Sequence, residues 1–227
     1  MKLAGLLGGL ILIALVVPFL LPAPPSQGTV EHLPWNVQTD GQGGSLVFGL
    51  SLPGSTLADA ARLHGPDPEL GLIVDKDRAL ALEAYLERVQ LGFITGRMIL
   101  TLEVPPGEMD GLVDRAPDAS ALQSGARRLD LAAGDRQAAM AWPITAITFI
   151  PSVNLDPEAV LARFGEPVSR VTSGDTEHLL YPARGLDVLV DPKGRELLQY
   201  VAPAEFSRLS GPLDASADTT AGAVPGQ

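Results

Sequence analysis

From Leu3 to Ala23 the chain carries no charged side chain. About 20 helical residues at roughly 1.5 Å each match the ~30 Å hydrocarbon thickness of a bilayer. This run therefore predicts a membrane-spanning helix, and it commits one end of the chain before the rest can fold. Lys2 precedes the run and Glu31 is the first charge after it. By the positive-inside rule the N-terminus is expected in the cytoplasm, with a single pass through the inner (cytoplasmic) membrane and the C-terminal domain in the periplasm. A cleaved secretory signal is the rival reading, since Leu21-Pro22-Ala23 ends on a small residue. Two features oppose it: the run exceeds the usual apolar core of a signal, and Pro24 directly follows Ala23, where a peptidase needs an extended backbone. Either reading exports the domain.

Removing Lys2 with the anchor leaves 27 acidic side chains against 15 basic ones. Such a surface repels phosphate backbones and anionic headgroups, which excludes nucleic acid and an anionic lipid surface as partners. The chain has no cysteine. That excludes a disulfide framework, thiol catalysis, a cysteine zinc site and an acylated N-terminal cysteine. Aromatic residues make up 5%, so the core must be built mainly from Leu, Val, Ile and Ala.

Two segments look alike. Thr56 to Gly65 reads as a short helix with capping-box spacing at Thr56 and Asp59, an apolar face of Leu57, Ala60, Ala61 and His64, and Gly65 as its stop. Asp156 to Gly165 repeats the design, with Asp156 as N-cap, Pro157 in the first turn, then Val160, Leu161 and Phe164 before Gly165. A proline-containing turn and short β-rich runs follow each glycine. In the second segment these runs are Pro167 to Thr172, Thr176 to Tyr181, Leu186 to Val190 and Glu196 to Val201, joined by good turn chemistry. In the first they are Leu70 to Val74, Leu80 to Val89 and Met98 to Val104. Val104, Pro106, Glu108 and Leu112 then match Val201, Pro203, Glu205 and Leu209, which places Gly107 opposite Ala204 and makes Gly107→Ala an expected neutral change. The pattern predicts an internal duplication.

The expected class is α+β, with tandem units of a short helix and an antiparallel β-meander behind the N-terminal transmembrane helix. The division is 1–24 anchor, 25–34 linker, 35–116 first α+β unit, 117–151 connecting strand-helix-strand, 152–211 second unit and 212–227 disordered tail. Within the connector, Arg127 to Leu131 and Ile144 to Ile150 read as strands and Gly134 to Met140 as a helix. Trp35 to Val37 and Ser45 to Leu52 flank Asp40-Gly41 as a hairpin. Trp35 has two readings, membrane interface and core; its place at the start of a strand-like stretch favours the core.

The helix, the Phe164-Gly165-Glu166-Pro167 turn and the meander, with Val160, Tyr181, Gly185 and the Asp191 to Gly194 turn ahead of Leu197, resemble the small outer-membrane assembly lipoproteins of the BamE (SmpA/OmlA) type. Two such units in one chain are similar to the architecture of β-lactamase-inhibitor proteins. The resemblance implies a binding surface made from tandem helix-and-sheet units. Against those lipoproteins, this chain lacks the N-terminal cysteine that they acylate. Gly65, Gly165, Pro167 and Asp156 read as structural devices, with glycine supplying positive φ and proline stopping the helix.

No complete catalytic, cofactor or metal signature is present. His64 falls on an apolar helix face and His32 in the linker. His178 stands in Asp175-Thr176-Glu177-His178, but on a strand Glu177 and His178 point to opposite faces. No Gly-x-Ser-x-Gly elbow occurs, and Gly41-Gln42-Gly43-Gly44 lacks the following Lys-Ser/Thr of a phosphate loop. Asp75, Asp77, Asp187 and Asp191 read as solvated turn residues at hairpin ends. The expected function is a non-catalytic binding or scaffold module of the cell envelope, without cofactors, anchored through residues 3–23 and paired with an envelope protein. Tyr85, Phe93, Tyr181 and Tyr200 are the candidate partner-binding aromatics. The alternative is an exported hydrolase with a carboxylate or His178 at its site.

Overall fold

The computed structural model describes residues 32–75, 78–122, 125–155, 157–191 and 196–213. The predicted membrane span, Asp156, Asp77 and residues 214–227 of the predicted tail lie outside them. Among the described residues no helix is long and apolar enough to cross a membrane.

The described chain begins with a small antiparallel sheet of β1 (Gln38–Thr39), β2 (Ser45–Val47) and β3 (Leu50–Leu52). The Asp40 carboxylate accepts the N–H groups of Gln42 and Gly44, which closes the β1–β2 turn and lowers the pKa of Asp40. The run 45–52, expected as one strand, instead folds back on itself at Phe48 and Gly49, both at positive φ. A phenylalanine is a poor turn residue there. Packing overrides that cost, because the Phe48 ring is buried against Phe149 and Tyr200, with ring centroids 5.5 and 5.1 Å away.

Helix α1 (Leu57–His64) follows, closed by the predicted capping box between Thr56 and Asp59. Then come β4 (Glu69–Asp75), β5 (Arg78–Leu91) and β6 (Ile94–Leu102). Helix α2 (Glu108–Arg115), strands β7 (Ala119–Ala121) and β8 (Arg127–Leu129) and helix α3 (Ala133–Ala139) lead to β9 (Ile144–Pro151). The second segment comprises α4 (Pro157–Phe164), β10 (Ser169–Ser173), β11 (Thr176–Tyr181), β12 (Leu186–Val190) and β13 (Leu197–Val201). Residues 207–213 are helical, and Leu213, expected in a disordered tail, is buried.

All the larger strands join one antiparallel sheet in the order β10-β11-β12-β13-β9-β6-β5-β4-β8-β7. The fold class is α+β, as expected, but β9 is the hinge of the sheet rather than a connector. Its Ile147 and Phe149 face Leu100 and Met98 on one side and Tyr200 and Leu198 on the other. Period-2 alternation then puts the apolar residues of each strand on this face, where the small sheet, α1 and α4 bury them in a single core.

The two segments are not copies in space. Strands β6 and β13 are both antiparallel to β9, so they run parallel to each other. Strand order advances toward β9 from one side in the first segment and from the other side in the second. Yet Leu57 and Ala60 of α1 share one core with Val160 and Phe164 of α4, so both helices lie on the same face. Reversing strand order while keeping strand direction and helix face is a reflection, and no rotation achieves it. The similarity of the segments is local and does not extend to the path of the chain.

The glycine stops also differ. Both donate their N–H to the carbonyl four residues back. Gly165 takes the expected left-handed φ of 78°, whereas Gly65 sits at φ 143° and ψ 138°, outside the left-handed region. Gly107 has a φ of 82° as the residue before α2, so alanine there is strained rather than neutral.

Candidate functional site

Directly opposed residues of an antiparallel sheet share a face. One row crosses eight strands on the face away from the main core: Glu69, Tyr85, Ile99, Thr148, Gln199, Asp187, Leu180 and Ser169. The row divides into two parts. Over the second segment, Phe206, Leu209 and Leu213 pack on Leu180, Val201, Val171 and Ala146 as a small separate core. Over β5, β6 and β9, Tyr85, Ile99, Thr101, Thr148 and Ile150 stay half-buried, and Arg97 is exposed.

Tyr85 is held on both sides. Its hydroxyl donates to the Glu83 carboxylate, and the Arg128 guanidinium lies 4.6 Å from its ring centroid. Burial, followed by the bond to Glu83, pushes the Tyr85 hydroxyl well above its ordinary range. Arg128 reaches this position from β8 by crossing β4 at Gly71, where an added Cβ would lie 2.3 Å from Arg128 Nε. Its far end approaches Glu69 at 3.4 Å. Glycine within an otherwise apolar strand marks a close approach of this kind, so the sequence signal for Arg128 was Gly71.

Toward the hairpin end, a β-bulge sets Glu87 and Arg88 against the single residue Arg97. These three side chains, with Thr95, Gly96 and Ser152, line a hollow of 440 Å³. A second hollow, of 300 Å³, runs from Ala81 and Thr101 to Met109, Glu205 and Arg208.

At the other end of the face, His178 Nδ1 and Asp187 Oδ2 lie 2.7 Å apart. Asp187, expected as a solvated turn residue, is 1% exposed and His178 is 8% exposed. The strand has the expected bounds, with Tyr181 paired to Leu186 and Asp187 the next residue in; the difference is that its face of the sheet is covered. It shares that face with Leu180 and, two residues along β11, with His178. Burial raises the pKa of Asp187, while the hydrogen bond and charge of His178 oppose the rise. Asp187 Oδ1 is buried without a hydrogen-bond partner. Among the described residues no hydroxyl is bonded to His178, and no group of three or more metal-ligating side chains occurs.

The other candidate residues separate cleanly. Tyr200 is 0% exposed, and its hydroxyl donates to the Pro34 carbonyl at 2.8 Å. Tyr181 is buried and donates to the Gly165 carbonyl, while Arg184 donates to that of Phe164. Together they satisfy two carbonyls at the C-terminal end of α4, those of Phe164 and Gly165. Neither tyrosine is available to a partner. Tyr85 lies on the open face, and Phe93 projects from the β5–β6 turn, 69% exposed. His64 donates to the Phe48 carbonyl at 2.9 Å, and burial lowers its pKa, which fits the half-buried role expected of it. His32, assigned to the linker, packs edge-on to His64 with ring centroids 6.4 Å apart. Asp75 ends β4 on the surface. Pro167 is half-buried behind α4.

No family model matches the chain, and no curated protein or solved structure matches it either.

Proposed function

We propose that the chain is a membrane-anchored extracytoplasmic protein that serves as a non-catalytic binding or scaffold module of the cell envelope. Residues 3–23 hold it in the inner membrane, with the domain in the periplasm. The two helix-and-meander segments act as halves of one platform rather than as two independent binding units. The observation that carries this reading is the one-sided sheet: its helix face is sealed, and its other face keeps a half-buried strip of Tyr85, Ile99, Thr101, Thr148 and Ile150. A mixed aliphatic, hydroxyl and aromatic strip with a charged rim is the composition of a protein-recognition surface. The resemblance to envelope assembly lipoproteins points the same way.

The test is site-specific photocrosslinking in native envelopes, with a benzophenone amino acid at Ile99 or Thr148 and a control at Ala119 on the edge strand β7. A discrete protein adduct from the first two positions and none from Ala119 is expected. Absence of adducts at both open-face positions overturns the reading.

The second reading, an exported hydrolase, draws on the 2.7 Å contact between His178 and Asp187. A base oriented by a carboxylate also requires a nucleophile within hydrogen-bond reach. His178→Gln separates the two: the binding reading expects an unchanged cellular phenotype at equal protein abundance, and the hydrolase reading expects its loss.

A further inference from the structure

We propose that the end of the β5–β6 hairpin, with Phe93 at its tip, rests in the interfacial layer of the same bilayer that holds residues 3–23. This inference rests on the anchor reading above and adds to it a second, fixed contact between domain and membrane.

Phe93 occupies the two-residue turn closed by the pairing of Leu91 with Ile94, and most of its surface faces solvent. It does not stand alone. Its ring centroid is 6.0 Å from that of Trp35, which lies edge-on to Phe164 at 6.2 Å. The Arg163 guanidinium sits 4.7 Å from the Trp35 ring centroid. On the hairpin stem, Arg88 and Arg97 are exposed. None of Arg88, Arg97 and Arg163 forms an ion pair among the described residues. In a chain of net charge -11, this corner therefore combines exposed aromatic surface with three arginines, beside the exposed carboxylate of Glu87 on the stem. Tryptophan, phenylalanine and arginine are the side chains that settle at headgroup level, with an apolar body and, for Trp and Arg, a polar or charged end.

The tether supplies the occupant. Eight residues, 24–31, separate Ala23 from His32. At no more than about 3.6 Å per residue they reach at most roughly 30 Å. Trp35 lies three residues beyond His32, so at no more than about 3.6 Å per residue the aromatic corner begins within roughly 11 Å of the point where the tether joins the domain. The two readings of Trp35, core and membrane interface, are then both fulfilled: one edge packs on Phe164 and the other side belongs to the surface that Phe93 extends. The acidic remainder of the domain favours a zwitterionic over an anionic interface.

The natural absence of cysteine makes the experiment direct. The full chain carrying Gln90→Cys, beside the turn, or Ala119→Cys, on β7, is labelled with an environment-sensitive dye and reconstituted into phosphatidylcholine vesicles. Flotation of the vesicles reports the anchor, and quenching reports the docking. The expected result is co-flotation, with the hairpin label quenched by nitroxide lipids and protected from aqueous iodide, and the Ala119 label quenched by iodide alone. Phe93→Asp should return the hairpin label to iodide. Should that variant fail to accumulate, Trp35 emission in the Trp142→Phe chain is expected to be quenched by brominated phosphatidylcholine. Co-flotation with a hairpin label as open to iodide as Ala119 overturns the docking and leaves the anchor standing. Failure to float overturns both. A hairpin label shielded from iodide and from lipid nitroxide alike assigns this corner to a protein contact and also overturns the proposal.

Discussion

In the first half of the sheet, α1 hands the chain to β4, and the strands step through β5 and β6 toward β9. In the second half, α4 hands it to β10, and the strands step through β11, β12 and β13 toward β9 from the opposite side. The helices share an apolar stripe and a glycine that donates back to the last turn. The second faces differ. Over the first half the face keeps Tyr85, Glu83 and Arg97 within reach of solvent, while over the second it buries His178 against Asp187 and packs Leu209 and Leu213 on Leu180 and Val201. Helix caps and stops are local and recur wherever the residues recur. The side from which a meander approaches its neighbour is set by long-range pairing, here with β9, and similar local sequence does not constrain it.

The sharpest contrast lies between glycines that share a positive φ. At Gly185, φ is 63° and an added Cβ would lie 2.0 Å from the Val201 carbonyl oxygen; at Gly165, φ is 78° with nothing within 4 Å. Gly185→Ala should combine left-handed strain with a backbone clash and cost about 2–5 kcal/mol. Gly165→Ala carries the strain alone, about 1–2 kcal/mol. Denaturant melts of the two variants read the difference directly, and equal losses would remove the close packing of β13 behind the β11–β12 hairpin from the account.

The buried pair belongs to the second half alone. Asp187→Ala leaves His178 unpartnered in a dry site and should cost about 1–3 kcal/mol. Its pH signature has a definite sign. Burial raises the folded-state value of Asp187 above its unfolded value of about 3.9, so the folded state holds the proton more tightly. The stability contributed by Asp187 is fully present below about pH 3.9 and is lost as pH rises through the raised folded value. Asp187→Asn should flatten that part of the stability profile. An unchanged slope would place the titration elsewhere.

Much of the local structure was legible. Strands β11 and β12 begin and end where alternation and turn residues put them, and the Thr56 capping box forms as its spacing requires. What was not legible depended on distant partners. Ile144 to Pro151 reads like any short strand, and only its pairing with β6 and β13 makes it central. Phe48 turns the chain because Phe149 and Tyr200 receive its ring. Asp187 looked like a turn residue because it stands next to the β11–β12 connection, and only the pairing across the sheet shows that its face is covered. Tyr181 and Tyr200 resembled recognition aromatics until their hydroxyls were found bonded to the Gly165 and Pro34 carbonyls.

Two smaller effects sharpen the comparison further. Gly107 aligns with Ala204, yet its φ of 82° and open surroundings predict that Gly107→Ala costs about 1–2 kcal/mol. A neutral result would restore local equivalence at that position. Phe93→Ser should shift the melt by less than about 0.5 kcal/mol, as expected for an exposed residue away from the core. A larger loss would make Phe93 a packing residue and not a surface one.

The central claim is that one face of the sheet is sealed and the other is left for a partner. Ile99 and Leu100 are adjacent on β6 and point to those opposite faces, Ile99 half-buried and Leu100 fully buried. The most direct measurement introduces Asp at each position in turn and follows both folded abundance and the photocrosslink from Thr148 in native envelopes. The account predicts that Leu100→Asp prevents accumulation of folded protein, whereas Ile99→Asp accumulates normally and loses the Thr148 adduct. A folded Ile99→Asp chain that still crosslinks as the parent does would contradict it.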